Sequence, residues 1–377
     1  MSAWNLQAEL TALKEAALYR QPRALDASGG PRVFCSNDYL GLAQHPRVRE
    51  ALALAAQVEG VGSSGAHLVT GHRVLHDRLA VALARWTGRE RALTFSTGYM
   101  ANIGVLQALV GRGDAVFSDQ FNHASLIDGA RLSRATVVPY RHNDLEDLER
   151  HLKTVRARRR LIVTDAVFSM DGDLAPLREL AEVAARHDAW LMVDDAHGIG
   201  VLGKDGAGTL SSLALSAAQA PVLVGTLGKA LGTFGAFVAG SAELIEYLVQ
   251  RARSYMFTTA PPPALAAATL ASLELVRNEP ERRAHLQRLV AQFRDGAQAL
   301  GLPLMPSATP IQPLWVGEAE TALVQSRALE RAGFLVTAIR PPTVPKGGAR
   351  LRITLSAAHS AQDVDDLLEA LAKLDLP

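Results

Sequence analysis

Along the middle of the chain, short apolar runs alternate with stretches of helical period. The apolar runs cover 92–95, 115–117, 161–163, 190–193, 222–224 and 236–239. Helical patterns lie between some of them, as at 144–156 and 176–187. Buried strands that alternate with helices predict an α/β fold with a mostly parallel sheet, because helices cover both faces of such strands. Ligands of these sheets bind at the carboxyl ends of the strands. Polar or glycine clusters follow the runs, and only the last run has no obvious chemistry beside it.

The two ends of the chain follow other patterns. Residues 1–25 have leucines at helical spacing and predict an amphipathic helix, which leads to a short strand at 32–35 and a helix at 46–59. The last part of the sequence predicts, in order, a strand at 311–316, a helix at 319–332, strands at 334–339 and 350–355, and a helix at 360–374. The predicted divisions are an N-terminal segment (1–45), a large α/β domain (46–285) and a small C-terminal α+β domain (286–377).

The composition of the chain argues against a nucleic-acid-binding protein and against a membrane-spanning one. The chain has 377 residues, 48% of them hydrophobic, and a formal net charge of +1. Since basic and acidic residues are interspersed, no nucleic-acid-binding surface is predicted. No apolar run reaches the roughly 20 residues that a membrane-spanning helix needs. Cys35 is the only cysteine, which rules out an internal disulfide and favours a reducing, cytoplasmic location.

Two glycine-rich motifs raise the alternative of a nicotinamide-binding oxidoreductase. Residues 60–65 match the dinucleotide fingerprint but follow a predicted helix, whereas the fingerprint needs a strand before it. Residues 198–203 do follow a predicted strand, but no acidic residue lies about 20 positions further on and no clear helix begins there. Neither motif therefore favours a nicotinamide site.

A single lysine, Lys229, follows the apolar run 222–224 and a glycine turn. In apolar surroundings, desolvation would lower the pKa of its amine, which could then attack a carbonyl and form a Schiff base. The other polar side chains just past predicted strand ends include Asp194, His197, His123 and Ser169. Because the carboxyl ends of parallel strands meet at one edge of a sheet, one site could collect all of them.

Other chemistries fit this set poorly. A phosphate-binding P-loop would need a glycine and a hydroxyl where the chain has Leu223 and Ala230. No serine lies in a Gly-x-Ser-x-Gly hydrolase motif. A metal site could use Asp194, His197 and His123, but no third ligand follows the usual spacing, and no metal is predicted.

Pyridoxal phosphate (PLP) is a cofactor whose chemistry uses these groups. Lys229 would hold its aldehyde. Asp194 would keep the pyridine nitrogen protonated, so that the ring can take up the electrons of a carbanion. His123 would stack on the ring face.

The remaining polar atoms of PLP also have candidate partners. His197 and Ser169 would bind the phenolic oxygen. Hydroxyls and backbone amides at the start of a helix would bind the phosphate, and residues 96–99 and Thr226 offer such groups.

Motifs along the whole chain carry a family resemblance. They are 36–42 (SNDYLGL), 95–102 (FSTGYMAN), 119–129 (DQFNHASLIDG), 167–173 (VFSMDGD), 193–198 (VDDAHG), 225–229 (GTLGK) and 350–354 (RLRIT). The sequence resembles the α-oxoamine synthases, a branch of the fold-type I PLP enzymes. The resemblance implies a PLP-dependent acyltransferase that forms a homodimer with its active site at the subunit interface.

The resemblance also implies roles for individual residues. Lys229, His123, Asp194 and His197 would be catalytic, and Gly98 and Tyr99 would join Thr226 near the phosphate. Thr258 and Thr259 would reach the phosphate of a partner subunit. Arg352 would bind the amino-acid carboxylate in a bidentate grip. The candidates for the acyl substrate are Arg20, Asn37, Arg340 and Thr343. Asp165 departs from the family pattern, in which some members are expected to have glutamate.

Residues 338–345 most resemble the branch of the family that joins L-alanine to a pimeloyl thioester in biotin synthesis. The acyl carrier would be coenzyme A or a carrier protein. An alternative with the same chemistry uses glycine with acetyl-CoA or succinyl-CoA.

Overall fold

The structure, a computed structural model, describes residues 4–25 and 30–376. The chain forms two compact units. The large unit contains 37–169 and 174–284, and the small unit contains 1–36, 170–173 and 285–377. The N-terminal residues predicted as a separate segment are thus divided between the two units. In the described part of the chain, none of the helices is both long and apolar enough to cross a membrane.

The strands and helices have the following bounds. The strands are β1 (Arg32–Val33), β2 (Arg91–Phe95), β3 (Ala115–Asp119), β4 (Thr136–Tyr140), β5 (Arg160–Asp165), β6 (Trp190–Asp194), β7 (Val222–Thr226), β8 (Ala236–Gly240), β9 (Ile311–Gly317), β10 (Phe334–Leu335), β11 (Thr337–Ile339) and β12 (Ala349–Thr354). The α-helices are α1 (Leu6–Glu15), α2 (Pro46–Glu59), α3 (Val74–Trp86), α4 (Gly98–Leu109), α5 (Ala124–Leu132), α6 (Leu145–Thr154), α7 (Leu177–Arg186), α8 (Thr209–Ser212), α9 (Ala242–Arg251), α10 (Arg253–Met256), α11 (Pro263–Asn278), α12 (Pro280–Ala299), α13 (Ala319–Arg331) and α14 (Ala361–Leu371). A π-helical turn covers His67–Gly71.

The large unit is built around a seven-stranded sheet in the order β2-β8-β7-β6-β5-β3-β4. The pairs β7–β6, β6–β5, β5–β3 and β3–β4 are parallel, and β8 runs antiparallel to both of its neighbours. The predicted mostly parallel α/β sheet is therefore confirmed. Strands β2 and β7 run in the same direction, so their carboxyl ends lie at the same edge as those of β3, β5 and β6.

Alternate residues of these strands enter two separate hydrophobic cores. Leu161 and Val163 of β5 pack with α4, α5 and α9, whereas Ile162 packs with α6 and α7. All three side chains are at most 2% exposed. Burial on both faces explains why β5 appears in the sequence as a continuous apolar run.

The small unit has a three-stranded antiparallel sheet in the order β11-β12-β9, and a separate parallel pair, β1–β10. The predicted strand 334–339 is therefore two strands that belong to different sheets. The last helix, α14, begins with a capping box, because Ser360 accepts from the Asp363 amide at 3.1 Å and the Asp363 carboxylate accepts from the Ser360 amide at 2.8 Å.

The prediction of one helix over 1–25 is wrong over the described residues. Helix α1 ends at Glu15, and Ala17 has a φ of +56°. The Leu18 amide donates to the Leu13 carbonyl, which closes the helix end. Left-handed backbone at a non-glycine residue is uncommon, so the sequence has no glycine signal at this point.

Neither glycine motif opens a dinucleotide-binding helix. Residues 60–65 lie between α2 and the π-helical turn. Residues 198–203 follow β6, but they form turns with positive φ at Gly200 and Gly203 and are followed only by the four-residue helix α8. The strand–turn–helix context of a nicotinamide site is therefore missing at both motifs.

Candidate active site

A cavity of about 170 Å³ lies in the large unit and collects side chains that follow different strands. It is lined by Gly98, Tyr99, His123, Ser125, Asp165, Asp194, Ala196, His197, Thr226 and Lys229. A larger cavity of about 510 Å³ lies beside Arg160 and Trp190, the first residues of β5 and β6. This larger cavity is therefore at the opposite edge of the sheet. The smaller cavity is the candidate active site because of the chemical groups that line it, not because of its volume.

Lys229 begins a chain of hydrogen bonds that leads away from the cavity. Its Nζ lies 2.7 Å from Nε2 of His197, and Nδ1 of the same ring lies 2.7 Å from the Tyr39 hydroxyl. That hydroxyl donates to Oδ1 of Asn37 at 3.1 Å. Tyr39 is fully buried, and His197 is 5% exposed.

The direction of this chain assigns the protons of His197. Because the Tyr39 hydroxyl has one hydrogen and donates it to Asn37, Nδ1 of His197 must carry the hydrogen of their shared bond. Nε2 of a neutral ring then has a lone pair and accepts from the amine of Lys229. Asn37 and Tyr39 thereby select the tautomer of His197 that faces the cavity.

A second network holds Asp194 at the end of β6. Its Oδ1 accepts from the Ala196 amide at 3.0 Å, and its Oδ2 accepts from the side-chain amide of Asn102 at 2.6 Å. The same amide nitrogen of Asn102 donates to Ser125 at 2.8 Å, and the Ser125 hydroxyl lies 2.7 Å from Nδ1 of His123. Asn102 and Ser125 are fully buried, so they connect the carboxylate to the imidazole without water.

His123 is a neutral imidazole in this setting. It precedes α5 as its N-cap, where Nδ1 accepts from the Ser125 amide at 3.3 Å. Burial lowers the pKa of His123, and the positive charge of Lys229 lowers it further, although Asp194 opposes them. The backbone amide of His123 donates to Oδ2 of Asp165 at 2.6 Å, which fixes the loop.

Asp165 differs chemically from Asp194, its partner on the neighbouring strand. Burial raises the pKa of Asp165 well above its usual range, and the charge of Asp194 raises it further. This shift favours the neutral form of Asp165, which avoids two adjacent buried charges.

The start of α4 forms another wall of the cavity. The Thr97 hydroxyl caps this helix by accepting from the Met100 amide at 3.1 Å, and Gly98 and Tyr99 of the first turn line the cavity. The Tyr99 hydroxyl donates to Asp128 at 2.5 Å. A helix N-terminus offers unpaired backbone N–H groups and a partial positive charge, which suit an anion such as phosphate.

Comparison with known proteins places this chain in a family. The family model for class I and II aminotransferases matches residues 32–371. The 8-amino-7-oxononanoate synthase of Alkalilimnicola ehrlichii is 59% identical over 375 residues, with 97% of this chain and 96% of that protein covered. The protein of the same name from Methylococcus capsulatus is 63% identical over 345 residues, with 91% and 89% covered.

The chain belongs to the class I and II aminotransferase family. A solved serine palmitoyltransferase variant from S. paucimobilis, with bound PLP and myriocin, is 30% identical and superposes with a TM-score of 0.91 over 97% of this chain and 96% of that one. The predictions of a fold-type I, PLP-dependent acyltransferase are thus confirmed.

The residues of the cavity fit the PLP of this family. The cavity is lined by an amine, a carboxylate, a neutral imidazole and the start of a helix. Each of these groups suits a different part of the cofactor. Lys229 would bind the aldehyde and Asp194 the pyridine nitrogen. His123 would cover the ring, and His197 would donate to the phenolic oxygen through Nε2 when its ring carries a second hydrogen. The first turn of α4 would hold the phosphate.

Some predicted cofactor residues lie outside the cavity lining. Ser169 is half-buried beyond the end of β5. Thr258 is half-buried and Thr259 is exposed, and Thr259 forms an isolated antiparallel bridge with Ala66. The roles of Ser169 and of the two threonines stay predictions.

Most of the predicted substrate residues belong to the small unit. Nη2 of Arg20 donates to the Thr343 hydroxyl at 3.0 Å, and the Arg340 guanidinium donates to the carbonyl of Ala17. Burial lowers the pKa of Arg340, and the nearby charge of Arg20 lowers it further. Within residues 4–25 and 30–376, no carboxylate forms an ion pair with either arginine. Arg352, also predicted, is 6% exposed on β12.

Sequence reasoning did not assign roles to Tyr39, Asn102 and Ser125. Asn102 had a usable signal, because a buried amide in an otherwise apolar stretch of helix requires a hydrogen-bond partner. Tyr39 had none, since it contacts His197 from a position 158 residues away in the sequence.

Proposed function

We propose that this enzyme condenses L-alanine with a pimeloyl thioester to give 8-amino-7-oxononanoate, carbon dioxide and a free thiol. The observation that carries the proposal is the name 8-amino-7-oxononanoate synthase, borne by relatives that are 59% and 63% identical over most of the chain. The acyl carrier is coenzyme A or a carrier protein. The reaction would supply a precursor for biotin.

Each residue of the cavity has a different role in the proposed reaction. When bound, PLP would supply an electron sink for the bond that breaks at Cα of the amino acid. The amine of Lys229 removes the Cα proton, and Nε2 of His197 orients that amine. Asp194 keeps the pyridine nitrogen protonated, while His123 covers one face of the ring and excludes water.

The carbon balance follows from these roles. Cα of alanine forms a bond to the thioester carbonyl carbon, and the thiol leaves with the electrons of the carbon–sulfur bond. The carboxylate then departs as carbon dioxide, and Lys229 returns a proton to Cα. Arg352 would hold the carboxylate of the amino acid before this step.

The acyl end of the substrate has candidate partners in the small unit. Arg20 and Arg340 carry like charges close together, since Arg20 lowers the pKa of Arg340. An anion would relieve this repulsion, and the distal carboxylate of a pimeloyl chain is such an anion. The Thr343 hydroxyl accepts from Arg20, so its own hydrogen could be donated to the same anion. Asn37 is a further candidate for contact with the substrate.

We also propose that the enzyme is a cytoplasmic homodimer whose active site includes the partner's Thr258 and Thr259. Support comes from apolar side chains on the surface of the single chain. Val58, Val61 and Val69 are 85%, 87% and 77% exposed, which is unusual for large aliphatic residues unless another surface covers them.

Isotope labelling tests the proposed bond changes. L-Alanine labelled with ¹³C at the carboxyl group should release the label as carbon dioxide, whereas a ¹³C methyl label should stay in the product. Lys229→Ala, loaded with PLP, serves as the control and should yield neither. Retention of the carboxyl label in the product would refute decarboxylative condensation.

A further inference from the structure

Three histidines outside the active site lie within contact of one another in the large unit. His67, His72 and His76 each offer a ring nitrogen, and these nitrogens all lie within 4.8 Å of one another. The ring centroid of His67 lies 5.0 Å from that of His72 and 5.1 Å from that of His76. The π-helical turn supplies His67, and the first turn of α3 supplies His76.

The contact between His67 and His72 resembles a site where a proton occupies the place of a metal ion. Their Nδ1 atoms face each other at 2.8 Å, so one hydrogen must lie between them. At a Zn–N distance of 2.0–2.1 Å, two ligands of a tetrahedral site are roughly 3.3 Å apart. A small opening of this contact would therefore admit an ion in place of the hydrogen.

The protonation of these rings favours metal binding. Burial lowers the pKa of His67 to about 4 and also lowers the pKa of His76. Both rings are therefore neutral near pH 7, as metal ligands must be. Nε2 of His67 is buried without a hydrogen-bond partner, so it can carry the ring hydrogen when Nδ1 binds a metal.

His72 has the supporting partner that metal-binding histidines usually have. Its Nε2 lies 2.9 Å from Oδ1 of Asp77, which fixes the hydrogen on Nε2 and leaves the Nδ1 lone pair toward His67. A carboxylate–histidine–metal arrangement orients the ring and raises the basicity of the ligand. His72 and Asp77 also line a cavity of about 470 Å³, which gives an ion access and leaves space for water as a further ligand.

His76 is the third candidate ligand and must exchange a hydrogen bond for the metal. Its Nδ1 accepts from the Arg73 amide at 3.0 Å, and its Nε2 lies 2.9 Å from the Pro261 carbonyl. If one of these hydrogen bonds breaks, the His76 ring can rotate and direct the freed nitrogen toward the other two histidines. Affinity at this third position is therefore weaker than in a preformed site.

We propose that His67, His72 and His76 form a binding site for a divalent transition metal, with Zn²⁺ as the physiological ion. Imidazole ligands suit Zn²⁺, Cu²⁺ and Ni²⁺ rather than Mg²⁺ or Ca²⁺. The ion would fasten the π-helical turn to α3. It would also steady residues 258–261, because Ala260 donates to the Gly65 carbonyl at 2.9 Å and Thr259 bridges to Ala66.

Metal titration of the untagged, PLP-loaded enzyme tests the proposal. Calorimetry with Zn²⁺, and ligand-field absorption with Co²⁺ as a spectroscopic probe, should each report one ion per chain. Zn²⁺ should raise the unfolding temperature, because a ligand of the native state stabilises it by mass action. His72→Gln should abolish these effects while turnover at saturating PLP stays at the wild-type level.

Two further variants sharpen the result. Asp77→Asn should weaken Zn²⁺ binding roughly 10–100-fold, as expected when a carboxylate behind a ligand is lost. His151→Gln, the same substitution at a histidine outside the cluster, should bind like wild type. Absence of Zn²⁺ and Co²⁺ binding to wild type, or equal binding by His72→Gln, would overturn the site.

Discussion

At the scale of single residues, we propose that only one of two aspartates on adjacent strands, Asp194, supplies a charge to the pyridine nitrogen of PLP. Asp194→Asn should lower the rate of alanine Cα proton exchange by at least about 100-fold, the usual effect of losing a preorganised charge at a reacting centre. Asp165→Asn should change it less than about tenfold, because burial and Asp194 raise the pKa of Asp165 and so favour the neutral form that asparagine imitates.

Proton exchange measured by NMR in deuterated buffer compares these two variants. Both keep the size of the side chain, so each is the control for the other. A large loss in Asp165→Asn together with near-normal exchange in Asp194→Asn would reverse the assignment of the pyridine partner.

Tyr39 is a positioning residue for His197. Tyr39→Phe keeps the buried ring but leaves Nδ1 of His197 without its partner, at a cost of about 1–3 kcal/mol. We expect kcat to fall roughly 10–100-fold and its pH profile to shift, since the tautomer facing Lys229 is no longer fixed. Tyr140→Phe, at a buried tyrosine outside the cavity lining, is the control. An unchanged pH profile in Tyr39→Phe would contradict the relay.

At the scale of elements, apolar runs predicted most of the sheet but not β4. Pro139 interrupts the apolar pattern of Thr136–Tyr140, and a proline argues against a central strand because it cannot donate a ladder hydrogen bond. Strand β4 tolerates it because it lies at the edge of the sheet and pairs only with β3. Sequence patterns identify strands, whereas their position in a sheet depends on distant residues.

The cap of α14 links local sequence to stability. Ser360→Ala should destabilise this helix by about 1 kcal/mol at pH 7, because the hydroxyl that satisfies the Asp363 amide is lost. Faster hydrogen–deuterium exchange in the peptide that contains α14 would report this loss. Exchange equal to wild type would show that the cap does not stabilise the helix.

The same cap should depend on pH. Although burial opposes the change, hydrogen bonds from Ser360 and the guanidinium of Arg32 lower the pKa of Asp363 to about 2. A carboxylate with a depressed pKa stabilises the fold above its ordinary pKa of 3.8 and loses this effect as pH falls through about 2. Protection of α14 should therefore decrease across that interval in wild type.

At the scale of the whole molecule, the proposed shared active site can be tested by mixing inactive subunits. Lys229→Ala and the double variant Thr258→Ala/Thr259→Ala should each be inactive at limiting PLP. In a mixed dimer, one site would have both Lys229 and the partner's threonines, so mixing after subunit exchange should restore turnover. Two inactive populations that stay inactive when mixed, despite proven exchange, would contradict a shared site.

The sequence pattern provides a positional reason for the residues that line the cavity, but none for the predicted substrate residue Arg352. Lys229, Asp194, His123 and His197 meet at one cavity because each follows a parallel strand, a relation that the alternation of strands and helices makes predictable. Arg352 has no such positional rule. Its role at the substrate stays a prediction from family resemblance.

Substrate preference tests the central claim most directly. The measurement is kcat/KM of the PLP-loaded enzyme for pimeloyl-CoA, acetyl-CoA and succinyl-CoA, each with L-alanine and with glycine. We predict that L-alanine with pimeloyl-CoA is the best pair. One methyl group provides only about 1–3 kcal/mol of discrimination against glycine, so that preference should be modest, whereas preference for the long acyl chain should be larger. If glycine with acetyl-CoA or succinyl-CoA were the best pair, the proposed function would be wrong.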